Sequence, residues 1–193
     1  MSYEKEFKAA MSRTSQWKLG SFSPAESGTG LSVEQRNELE AASHIPFEER
    51  VGKVMSVNFG DFHYILKSFG ITDAVLTIGN VSQYGEMRYP VTAGHLKKIL
   101  KHKSGEENSD RYHLWTTLPD GTIIDSVMLA ALYLEGNTDI NPAIPSERVL
   151  HADPEKLPFG LKYHPLVVGV EFFVASDTID REAMDYIMSE APA

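Results

Sequence analysis

One histidine, one tryptophan and one aspartate stand where a hairpin would gather them. In the stretch from Tyr112 to Asp125, Leu118 and Thr122 enclose Pro119-Asp120-Gly121. Proline suits the first position of a three-residue loop and glycine the left-handed position that closes it with a bulge. Pairing Leu118 with Thr122 sets Thr116 opposite Ile124 and Trp115 opposite Asp125. His113, Trp115 and Asp125 then share one face, with His113 diagonal to Asp125. Diagonal neighbours lie roughly 7–8 Å apart at the backbone, within reach of two long polar side chains. A two-residue loop at Asp120-Gly121 would pair Thr116 with Asp125 instead and turn the carboxylate away. Pro119 and the glycine placement favour the first register.

An imidazole oriented by a carboxylate is the base half of a nucleophilic triad, the acid holding the tautomer and stabilising the imidazolium. A nucleophile is then required. The plainer reading is a hairpin with a wet face, where His113, Trp115 and Asp125 are solvated cross-strand neighbours. Trp115 likewise has two readings, the wall of a substrate cleft or an aromatic anchor of the core.

The elements upstream bear on the nucleophile. Gly52-Lys53-Val54-Met55-Ser56-Val57-Asn58 leads into a helical run through Phe62, Ile65, Leu66 and Phe69 to Gly70-Ile71, followed by the apolar strand Ala74 to Val81. A glycine-containing turn, a helix ending in Leu-x-x-x-Gly-Ile, a strand ending in Gly-x-Val, then His-x-Trp and a strand ending in Asp resembles the transglutaminase-like branch of the papain-like cysteine enzymes. The resemblance covers about Gly52 to Asp125. It implies an α+β fold with a central antiparallel sheet packed against helices.

In that family the nucleophile is a cysteine at a helix start, where amide donors and the helix dipole help ionise the thiol. This chain has no cysteine. Counting back from Gly70 places the family position at Val54, Met55 or Ser56. Valine or methionine there implies a catalytically inactive relative. Ser56 would leave a hydroxyl for His113 to activate, a harder task because an alcohol is far less acidic than a thiol. Ser56 also reads as a helix N-cap, a role for which Asn58 competes.

Three functions are therefore carried forward. The first is an altered or inactive transglutaminase-like domain that retains a His113–Asp125 pair and acts by binding a small molecule, protein or peptide. The second is a hydrolase or acyltransferase acting on an amide or ester, with Ser56 attacking, His113 as base and Asp125 orienting it. The third is a non-enzymatic interaction or regulatory protein.

Composition narrows the field. The chain has 193 residues, a net charge of −9 and 42% hydrophobic content, enough to bury one substantial core. Its acidity disfavours broad nucleic-acid binding, which runs on clustered Lys and Arg. The basic strip Lys97-Lys98 and Lys101-His102-Lys103 reads as a solvated helix end. No cysteine means no disulfide and no thiolate metal site. The scattered histidines, His44, His63, His102, His151 and His164, show no metal-ligand spacing, and Gly20, Gly28 and Gly30 lack the strand-loop-helix context of a phosphate cradle. No metal or cofactor is expected. An N-terminus without an apolar run and the lack of a membrane-length segment give a cytoplasmic protein as the default.

Along the chain, residues 1–30 are rich in Ser, Thr and Gly and read as an irregular arm, leaving 31–193 as a single domain. Ser32 with Gln35 marks a capping box. A helical region opens at Phe47, with Gly52 and Gly60 as possible breaks, and only a break near residues 52–58 would put the nucleophile position at a helix start. Thr92–Ile99, Ser126–Tyr133 and Thr178–Met188 read as helices. Val167–Val174 reads as a central strand because it is apolar nearly throughout.

Overall fold

The computed structural model describes residues 2–22 and 30–189. Those residues form seven α-helices and six strands, and the strand pairings within each part are antiparallel. They gather into two compact units, and the span 31–193 contributes to both. Residues 23–29 of the expected arm, including Gly28, lie outside the described residues.

The first unit begins with a correction. Tyr3–Gln16 is a helix, α1, where an irregular arm was expected. Tyr3, Ala10, Met11 and Thr14 are buried at helical spacing, a stripe obscured by the Ser/Thr-rich composition around it. α1 lies along β6 (Leu161–Val168). Thr14 Oγ1 accepts from the Val168 amide at 3.0 Å and Arg13 Nη1 donates to the Leu166 carbonyl. The helix thus takes up strand groups that would otherwise form a bare edge.

β1 (Val75–Gln83) pairs with β6 from Thr77 opposite Val168 to Gln83 opposite Leu161. It turns through Tyr84-Gly85, both at positive φ, into β2 (Glu86–Met87). Positive φ at both central residues is the hairpin turn that matches strand twist. α4 (Ala93–His102) starts where the Thr92 hydroxyl accepts from the His95 amide, and Lys101 and His102 occupy its last turn. The expected strand Val167–Val174 is a second correction. It ends at Val168, Gly169 turns at φ +87, and Glu171–Ala175 is a helix, α6. Uniform apolarity fits a buried helix as well as a buried strand, and Phe172 and Phe173 both pack their rings against Tyr112. α7 (Arg181–Ser189) closes the unit.

In the second unit α2 (Val33–Ala42) starts with the full Ser32/Gln35 capping box. A 3-10 turn, Phe47–Lys53, gives way to α3 (Val54–Lys67), so the break falls where the nucleophile argument required it. β3 (His113–Thr117), whose first residue belongs to the first unit, pairs with β4 (Ile123–Asp125), and β4 with β5 (Leu150–Ala152). The hairpin register is the expected one, Thr116 opposite Ile124 and Thr117 opposite Ile123. Leu118 donates to the Thr122 carbonyl at 2.9 Å, and Gly121 sits at φ +87. α5 (Met128–Leu134) follows directly.

Candidate functional site

Every residue of β3 and β4 is buried, so the hairpin has no wet face. Trp115 and Asp125 are fully enclosed, and the register of Thr116 with Ile124 carries Trp115 opposite Asp125. One oxygen of Asp125 is committed to the backbone: Oδ1 accepts from the amides of Val127 at 2.8 Å and Met128 at 3.0 Å, at the start of α5. His113, also fully buried, stacks on Tyr89 with ring centroids 4.7 Å apart, and Tyr163 tilts against it at 6.1 Å.

Ser56 is exposed, while Val54 and Met55 are half-buried. Neither cap reading survives. The N-cap of α3 is Lys53, with no side-chain cap bond; Ser56 is already inside the helix, and Asn58 donates to the Val54 carbonyl at 2.9 Å. The turn before α3 is 3-10 and runs straight into the helix, which places the start earlier than a Ser or Asn cap would.

Around Asp125 the second unit holds a buried charged cluster that motif reading missed. Arg50 donates to Glu40 at 2.8 Å and to the Ser126 carbonyl at 3.5 Å, and Arg148 reaches the other Glu40 oxygen at 3.0 Å. Asp61, on α3, is buried beside them. Burial pushes its carboxyl up to about 7, with the Asp125 and Glu40 charges adding to the rise; a Ser126 hydrogen bond and the Arg50 charge oppose it. Its Oδ2 is buried without a hydrogen-bond partner. Three carboxyls against two guanidiniums leave one acid in excess, and a proton on Asp61 removes the surplus charge. No local motif announces this cluster, because its members lie in five separate segments.

Two features of the first unit also escaped motif reading. Ser82, His164 and Glu6 form a continuous hydrogen-bonded chain, at 3.1 Å and 3.0 Å. His164 had passed as one of the scattered histidines, since only the pairing of Asn80 with His164 brings it beside β1. A cavity of about 450 Å³ opens along α4, with Val91 and Ile99 in its lining and His95, Lys98, His102 and Arg111 among its polar walls. The basic strip thus contributes Lys98 and His102 to a concave site.

Among the described residues, no group of three or more His, Asp or Glu side chains stands ready to hold a metal ion. No helix among them is long and apolar enough to cross a membrane. Set against protein-family models, curated proteins and solved structures, the chain matches none.

Proposed function

We propose that the chain is a transglutaminase-like α+β domain that lacks the family's thiol and acts by binding. The observation that carries this reading is the start of α3. Of the three residues that fall at the family's cysteine position, the two half-buried ones, Val54 and Met55, have no nucleophilic group, and the one with a hydroxyl, Ser56, is exposed. Asp125 in the same unit is fully enclosed and its Oδ1 takes the two amides that open α5, which supports a retained structural carboxylate over a working triad member. The cavity along α4 is of the size that small-molecule sites occupy, and its two cations, Lys98 and Arg111, outnumber the single carboxylate of Asp110, which favours an organic anion as ligand.

Restoring a thiol tests the reading. Val54→Cys and Met55→Cys are prepared singly and alkylated with iodoacetamide at about pH 6, where an unperturbed cysteine is almost wholly protonated. One of the two is expected to react faster than free cysteine. Ordinary reactivity at both positions removes the support for the family reading.

A further inference from the structure

We propose that Ser82, His164 and Glu6 form a nucleophile, base and orienting carboxylate in the first unit that takes acyl groups from small polar esters. This activity does not rest on the binding reading above. The Ser82 hydroxyl stands 3.1 Å from His164 Nε2, and His164 Nδ1 stands 3.0 Å from Glu6 Oε2. The order of these atoms determines the tautomer. An ionised carboxylate only accepts, so in the neutral ring Nδ1 carries the hydrogen toward Glu6 and Nε2 presents its lone pair to the serine O–H. A hydroxyl needs that arrangement to be activated by imidazole.

Three elements hold the array. Asn80 pairs with His164 and Ser82 with Lys162, so residues 80, 82, 162 and 164 share one face of the β1–β6 ladder. Glu6 comes from α1, which is tied down at both ends. The Tyr3 amide donates to Glu155 at 2.6 Å, and Thr14 receives the Val168 amide. The base is therefore braced between a strand and a helix that is itself anchored.

The base and its carboxylate have an approach. Glu6 and His164 line a cavity of about 230 Å³ together with Lys162, Glu155 and Leu157, while Ser82, hydrogen-bonded to His164, lies outside its lining. The imidazole is 30% exposed and the carboxylate 21%, while Ser82 retains 5%. A cavity of this size admits a short acyl group, and its charged walls favour a polar one. Lys162, the register partner of Ser82, puts an exposed cation on the same face, a charge that meets a developing oxyanion if its flexible chain folds over. A single flexible cation is a weaker stabiliser than fixed amide donors, so the substrate class is esters, whose leaving alcohol departs more readily than an amine.

In the reaction Ser82 Oγ bonds to the ester carbonyl carbon as its proton passes to His164 Nε2. Collapse of the tetrahedral adduct breaks the bond to the alcohol oxygen, which leaves with that proton. Water then attacks the acyl carbon, gives a proton to Nε2, and releases the acid as the proton returns to Ser82. Glu6 touches no reacting atom and is a positioning residue.

The intact chain is treated with a fluorophosphonate probe and the adduct is mapped by peptide mass spectrometry. A single adduct on Ser82 is expected, absent in Ser82→Ala. Hydrolysis of p-nitrophenyl acetate should fall at least about 100-fold in His164→Gln, the lower end of what a general base contributes. Glu6→Gln should lower kcat with KM unchanged, and Glu6→Asp should restore part of the loss. No adduct, or hydrolysis equal in native protein and Ser82→Ala, overturns the proposal. An adduct on Ser56 overturns it together with the binding reading, whereas failure of the cysteine variants alone touches only the latter.

Discussion

The Arg50 guanidinium donates to the Glu40 carboxylate at 2.8 Å, with 1% and 6% of the two side chains exposed. Arg148 shares the same carboxylate at 3.0 Å, so one buried anion bridges two cations. Removing it leaves Arg50 enclosed and unpaired, and breaking such a pair costs roughly 3–5 kcal/mol. Glu40→Gln is therefore expected to lower the urea midpoint sharply. A midpoint equal to that of the native chain would mean the pair forms only weakly.

Asp61 gives stability a slope with pH. Its carboxyl is raised from 3.8 to about 7 in the folded state, so the folded chain holds the proton more tightly than the unfolded one. Its contribution is fully present below about pH 4 and is lost as pH rises through 7. With roughly 1.4 kcal/mol per pH unit, a gap of about three units bounds the loss at roughly 4 kcal/mol. Asp61→Asn should flatten stability between about pH 4 and 7, read from urea unfolding at stepped pH. A slope identical to the native one would show that Asp61 ionises normally.

Asp125 Oδ1 accepts from the two amides that open α5, and such bonds depend on an acceptor oxygen more than on charge. Asp125→Asn keeps Oδ1 and should lose little, whereas Asp125→Ala should lose about 0.5–2 kcal/mol from the two orphaned amides. Equal losses in the two variants would point to the charge as the main contribution.

Gly105 meets another element at close range. A Cβ there would stand 1.9 Å from Thr178 Oγ1 and 2.5 Å from Ser176 Oγ, while its amide donates to the Ser176 carbonyl at 2.9 Å. Gly105→Ala should cost about 1–3 kcal/mol through overpacking. Thermal denaturation measures it, and an unchanged Tm would show that the segment carrying Thr178 gives way.

The cationic cavity along α4 should take an organic anion with an apolar body. Titration with anilinonaphthalene sulfonate should shift the NMR signals of His95, Lys98 and Arg111, and Lys98→Glu should weaken binding by about tenfold, equivalent to roughly 1.4 kcal/mol. Shifts confined to other parts of the chain would remove this cavity as the ligand site.

Local chemistry made much of the second unit legible. Pro119-Asp120-Gly121 dictated the loop, the loop dictated the register, and the register carried Trp115 opposite Asp125 without any tertiary information. Ser32 with Gln35, and the break before Val54, were readable for the same reason, since caps and breaks involve residues a few positions apart. What the sequence left open depended on distant partners. α1 was hidden because its buried stripe is set by packing on β6, about 150 residues away. The run from Val167 became half strand and half helix because an apolar segment takes the shape of the surface it covers. Likewise, only tertiary structure decided that Asp125 spends an oxygen on a helix start, that Glu40, Arg50 and Asp61 share one buried cluster, and that His164 stands between Ser82 and Glu6. Side-chain chemistry is written residue by residue, but the distances that let charges and protons interact arise from pairings between segments far apart in the chain.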